Sequence, residues 1–135
     1  MAGADKLYTP ELLALAVALA EYPPDPALPL HGEARSKSCG STLGADIGLD
    51  SAGAIASLGL RVRACAIGQA AAAIFAHAAS GRTLPEIEDT HAALTAWLAG
   101  KGDLPDWPGL AAIALAREFP GRHGAIMLPW TAARD

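Results

Sequence analysis

Thr42-Leu43-Gly44-Ala45-Asp46-Ile47-Gly48-Leu49 sets Leu43, Ala45, Ile47 and Leu49 against Thr42, Gly44, Asp46 and Gly48 in strict alternation. A period of two puts one set on each side of an extended chain, which predicts a half-buried strand. Asp50-Ser51-Ala52-Gly53 follows with turn chemistry, and Ala56, Leu58, Leu60, Val62 and Ala64 resume the alternation. Upstream, His31, Glu33, Arg35 and Lys37 interrupt smaller residues between Leu30 and Lys37, the pattern of an exposed edge strand. Three strands joined by short links predict an antiparallel meander.

The period changes at Cys65. Ile67, Ala70, Ala71, Ile74 and Ala78 recur at spacings of three and four, and Gly81 suits the left-handed residue that stops a helix. Thr83-Leu84-Pro85-Glu86 forms a capping box, after which Ile87, His91, Leu94 and Leu98 share one side as far as Gly100 to Gly102. Asp106 is read as the cap of a further helix carrying Leu110, Ile113 and Leu115. A last helix is expected from about His123, its regularity limited by Pro129. At the other end, Thr9-Pro10 reads as an N-cap with proline at the first helical position. Tyr22-Pro23-Pro24-Asp25-Pro26 then forces a loop. The expectation is an α+β fold: an N-terminal helix, a three-stranded antiparallel sheet, then several helices packed on one sheet face.

The 135 residues suffice for one domain spanning 1–135. A net charge of −4 without a Lys/Arg run argues against a nucleic-acid partner, and Arg61 and Arg63 read as a solvated strand edge. Aromatic residues make up 5%, so small-residue helices are expected to form the core. No apolar run approaches the roughly 20 residues needed to cross a bilayer, so no membrane association is expected. Leu12 to Ala20 reads as an amphipathic helix rather than a signal core, because Asp5 and Glu11 stand ahead of it beside the single Lys6. A cytoplasmic location follows, where cysteines normally stay reduced.

Two cysteines carry the chemistry. Cys39 precedes Gly40, which permits a tight turn beside the thiol, and Cys65 opens a helix, where unpaired N–H groups favour an anion. Two such thiols can bind a metal, accept sulfur or form a disulfide, or they can serve as small buried apolar residues. A disulfide would need Cα atoms within roughly 7 Å. There is no Gly-x-Ser-x-Gly elbow, phosphate loop, Cys-x-x-Cys or His-x-x-x-His pair. His31, His77 and His91 read as exposed or core-edge side chains, and Trp97, Trp107 and Trp130 as core or loop anchors.

Around these cysteines the chain resembles the iron–sulfur scaffold family of NifU, IscU and SufU type. Arg35 to Gly40 is similar to that family's Arg-Asn-Pro-x-Cys-Gly segment, and Ala64-Cys65-Ala66-Ile67 to its Gly-Cys-Ala-Ile helix start. Gly81-Arg82-Thr83-Leu84 is similar to its Gly-Lys-Thr-Leu turn. Phe119-Pro120-Gly121-Arg122, followed by Leu128 and Trp130, resembles the SufU-type Phe-Pro-x-Arg-x-x-Cys-x-x-Leu-x-Trp. A SufU-type insertion corresponds to roughly Gly100 to Gly109. The sequence departs from the family at Ser41, where the family has aspartate, at Ala125, where it has a third cysteine, and at Gly124, where it has histidine or lysine.

The resemblance implies an iron–sulfur cluster assembly scaffold that is not an enzyme. It would accept sulfur from a cysteine desulfurase and hold iron, zinc or a nascent cluster through Cys39 and Cys65, with Ser41 and His123 at the rim and Gly40 and Ser41 forming the loop at the site. Four donors close a zinc site or a [2Fe–2S] cluster. Two thiols therefore imply ligands from a second copy in a homodimer, from a partner or small thiol, or from His123, two positions before Ala125. An isolated monomer would then hold little or no metal. The alternative is a degenerate scaffold that docks on the desulfurase and regulates it without carrying metal.

Overall fold

The computed structural model describes residues 8–37 and 40–134. Helix α1 (Pro10–Ala18) starts where expected: Thr9 is extended and its hydroxyl accepts the Leu12 N–H at 3.1 Å. It buries Leu12 and leaves Leu13 and Val17 exposed. One 3-10 turn (Leu19–Glu21) leads into the proline-rich loop.

Strands β1 (Leu30–Arg35), β2 (Thr42–Leu49) and β3 (Ile55–Arg63) form an antiparallel meander in the order β1-β2-β3. The pairings Ala34↔Leu43, Leu43↔Val62 and Ala45↔Leu60 put these apolar side chains on one face, toward the helices. A register irregularity at Gly48/Leu49 shifts the start of β3, so Ile55 is buried and Ala56 exposed.

The central strand is buried on both faces rather than one. The Pro23–Asp25 segment crosses the outer face so closely that a Cβ on Gly59 would lie 2.6 Å from the Pro23 carbonyl oxygen. Tyr22 also accepts the Leu60 N–H at 3.0 Å.

Under that loop Asp46 is fully buried and fully partnered. His31 Nδ1 donates to its Oδ1 at 2.7 Å, and Arg61 Nη1 and the Asp25 N–H donate to its Oδ2 at 2.8 and 2.9 Å. Burial pushes the carboxyl up. The His31, Arg61 and Asp25 hydrogen bonds and the Arg61 charge outweigh that effect and hold it below its ordinary 3.8.

Helix α2 (Ala66–Ala79) is the centre of the core, with Ala70 to Ala73, Ile74 and Phe75 all buried. Alanines let it contact α1, β3 and the last helix at close range. Gly81 ends the segment at φ +87°, and the Thr83–Glu86 capping box opens α3 (Leu84–Leu98).

The next element differs from the expected α-helix. Residues Leu110–Glu118 form 3-10 turns entered through Gly109 at φ +91°, without Asp106 as a cap. Buried Leu110, Ile113 and Ala116 recur every three residues, the 3-10 period, while Leu115 faces out. A further 3-10 turn (Pro120–Arg122) runs into α4 (His123–Arg134), which accommodates Pro129.

The three tryptophans are anchors. Trp107 stacks on Phe75 with ring centres 5.4 Å apart, donates to the Ile74 carbonyl at 3.0 Å and lies under the Arg82 guanidinium. Trp130 meets both rings edge to face. No helix among the described residues is long and apolar enough to cross a membrane.

Replacing Asp46 by alanine is expected to cost about 1–3 kcal/mol in urea unfolding, because the half-exposed His31 and Arg61 and the Asp25 N–H lose the one charged acceptor that ties the two strands and the loop together. Its depressed folded value means that the unfolded chain binds the proton more readily. The wild-type contribution is therefore present above about pH 3.8 and lost as pH falls through the folded value, an acid limb Asp46→Ala should lack.

Candidate functional site

The thiol Cys65 is the N-cap of α2, extended at φ −64° and ψ 171°. Gln69 fixes this junction twice. Its N–H donates to the Cys65 carbonyl at 2.9 Å, and its side-chain Nε2 donates to the Ala64 carbonyl, also at 2.9 Å. The second bond ties the residue before the N-cap to the start of the helix. Cys65 is partly exposed, packs against the core and makes no capping hydrogen bond. The first-turn N–H groups thus have no side-chain cap beside the thiol.

The start of α4 packs against the same turn. A Cβ on Gly68 would lie 2.6 Å from the Ala64 Cβ and 3.3 Å from the Ala125 Cβ. A side chain at position 68 would therefore clash with Ala64 at the helix entry and press on Ala125 of the neighbouring helix. Ala125 is fully buried in that contact.

Sheet register brings a third segment to this end of the molecule. Thr42 pairs with Arg35 on one side and Arg63 on the other, so the β1–β2 connection leaves the sheet where β3 hands over to Cys65. The stem of that loop is closed: Ser36 N–H donates to the Ser41 carbonyl at 2.8 Å and Gly40 N–H to the Ser36 carbonyl at 3.0 Å. Gly40 takes φ +71°, and Ser41 is buried. Cys39 and its neighbour Ser38 lie outside the described residues.

His123 faces a different neighbourhood. It lines a hollow of about 280 Å³ with Thr95, Leu98, Ala99, Gly124 and Met127. Its Nε2 lies 2.7 Å from the Arg117 carbonyl, which can only accept, so Nε2 carries the proton. A backbone carbonyl in that role is a common support for a metal-bound imidazole. Among the described residues, however, no three His, Cys, Asp or Glu side chains gather as a metal site. With Ser41 and Ala125 in place of further donors, the described residues do not fit a closed four-donor centre.

Gln69 has no motif of its own in the sequence; its only signal is its place four residues after a helix-opening cysteine. Asp46 belongs to the polar side of the β2 alternation, and the loop that buries it is remote in sequence.

Comparison with known proteins agrees with this architecture. No family model matches the chain, and no curated protein matches it. Among solved structures it is similar to a nitrogen-fixing NifU-like protein (N-terminal) from Brucella abortus, with TM-score 0.88 and 24% identity over 98% of this chain and 93% of that one. It is also similar to a putative iron–sulfur cluster assembly scaffold protein for the SUF system from Fervidobacterium islandicum AW-1. That match has TM-score 0.82 and 18% identity over 95% and 94% of the two chains. The chain therefore has the α+β fold of NifU-like and SufU-type scaffold structures.

Substituting Gln69 by alanine removes the bond to the Ala64 carbonyl. It is expected to lower stability by about 1 kcal/mol and to speed amide exchange across residues 64–67, measured by hydrogen–deuterium exchange.

Proposed function

We propose that this chain is an iron–sulfur cluster assembly scaffold-like protein that accepts sulfur through the thiol pair Cys39 and Cys65. The observation that carries the reading is convergence. The closed stem holding Gly40 and Ser41, the N-cap Cys65 and the buried start of α4 at Ala125 meet at one end of a fold shared with scaffold structures.

The chemistry available to such a pair is sulfur exchange. A thiolate at Cys65 attacks the outer sulfur of a persulfide on a cysteine desulfurase. The new S–S bond forms as the donor's S–S bond breaks, and the donor leaves as a thiolate with the electron pair. The chain ends as acceptor and turns over no substrate of its own. Iron and sulfide are then cargo, and holding them requires donors from a second copy or from the partner.

A second reading is favoured by Ser41 and Ala125, where this chain has a buried hydroxyl and a buried methyl in place of further donors. In this reading the chain is a docking module that regulates the desulfurase without carrying metal.

Two measurements separate these readings. Iron and acid-labile sulfide are determined after anaerobic incubation of the chain with a cysteine desulfurase, cysteine and ferrous iron. Stoichiometric iron and sulfide, lost in a Cys39→Ser, Cys65→Ser variant, is the expected result. Neither iron nor sulfur on the chain, with an undiminished effect on the desulfurase, would replace the first reading by the second. In the other measurement, Ala125→Cys adds a thiol where a small side chain already packs against Gly68. It should cost about 1–3 kcal/mol, because the added sulfur enters a fully packed contact, and raise zinc affinity by supplying a third thiolate, read by competition with a chelator.

A further inference from the structure

We infer that the arginine-lined groove on the outer face of the sheet is the docking site for an acidic, extended segment of a partner protein. The groove measures about 500 Å³, and its lining includes Glu33, Arg35, Thr42, Gly44, Arg61 and Arg63. Register fixes their layout: Thr42 lies between Arg35 and Arg63, and Gly44 between Glu33 and Arg61. Two strand spacings separate the backbones of Arg35 and Arg63 by about 10 Å, and Arg61 and Arg63 are about 7 Å apart along one strand.

The three cations are not equivalent solvated side chains. Arg61 is fixed, with Nη1 on the buried Asp46 carboxylate at 2.8 Å and Nη2 so close over β2 that a Cβ on Gly44 would come within 2.8 Å of it. Glycine at this position keeps the floor of the groove bare. Arg35 and Arg63 are exposed and have no ion pair among the described residues. Glu33 is the one acidic side chain among the lining residues. Arg35, Arg61 and Arg63 against Glu33 and the Arg61-bound Asp46 leave this sheet face with a small positive excess, carried by Arg35 and Arg63, in a chain of net charge −4.

The spacing selects the occupant. Carboxylates at alternate positions of an extended peptide project on one side about 7 Å apart, which matches Arg61 and Arg63, and a neighbouring carboxylate can reach Arg35. One inorganic anion cannot span such a triangle. A nucleic acid, with a charge every ~1.7 Å along its axis, needs a longer basic track than three arginines on an acidic chain provide. The groove borders the thiol end, since Arg63 stands two residues before Cys65. The inference rests on the charges of the sheet and holds whether or not the thiols accept sulfur.

The test uses the full chain and a fluorescently labelled peptide with glutamate at every second residue, followed by anisotropy at low ionic strength. Saturable binding is expected, weakened at least tenfold by Arg35→Glu, Arg63→Glu and by a lesser factor in the neutral pair Arg35→Gln, Arg63→Gln. All variants are checked for an unchanged unfolding midpoint. A peptide of equal charge with glutamates four residues apart should bind several-fold more weakly. Absence of binding to the wild type, equal binding by the charge-reversed variant, or equal competition by inorganic phosphate or a single-stranded oligonucleotide would overturn the assignment.

Discussion

The close burial of α2 is the constraint on which the other elements depend. A helix that contacts helices and a sheet together can carry little side-chain volume, and the run Ala70 to Ala73 meets that demand. Volume returns only at Ile67, Ile74 and Phe75, where Phe75 receives the stack of Trp107 and the edge of Trp130. Because α2 cannot shift without opening these contacts, its first residue is held in place. The thiol at Cys65 is therefore an N-cap on a rigid element rather than a loop residue.

The sheet supplies the other half of the frame, and its outer face is organised by one carboxylate. Asp46 would be costly to bury alone, but it collects donors from β1, β3 and the proline-rich loop. This tripod holds the loop against the sheet at one end and fixes Arg61 toward the other. The same charge pairing that stabilises the meander thus orients a cation in the groove beside Arg35 and Arg63. At the far edge, β3 is tied to the α2–α3 turn by Ile55 N–H to the Arg82 carbonyl at 2.8 Å and Gly81 N–H to the Ile55 carbonyl at 2.9 Å. Sheet and helical layer are therefore locked at both ends of β3.

Local features were legible in the sequence because their physics is local. The alternation of β2, the Thr9 cap, the Thr83–Glu86 box and the Gly81 stop each depend on residues within a few positions. The switch of period at Cys65 marked the strand-to-helix junction, and with it the likeness to scaffold proteins. Features built from distant segments could not be read this way. The burial of Asp46 needs Pro23 to Asp25 laid across β2, and the groove needs three strands in register. The 3-10 run lay between these cases: Leu110, Ile113 and Ala116 show a period of three, but Leu115 masks it by adding an apolar residue on the solvent side. At the site, Cys65 was legible as a helix start. The contact of Ala125 with Gly68 and the turn of His123 toward the Arg117 carbonyl required the packed helices.

Uptake of sulfur at the thiol end of the fold is the proposal to test first. Its most direct test is the intact mass of the full chain after exposure to a cysteine desulfurase and cysteine without iron, followed by alkylation and peptide mapping. The expected result is a population heavier by one sulfur atom, with the addition mapped to Cys65 or Cys39 and lost when both are serine. An unchanged mass, while the desulfurase itself becomes persulfidated, would contradict it.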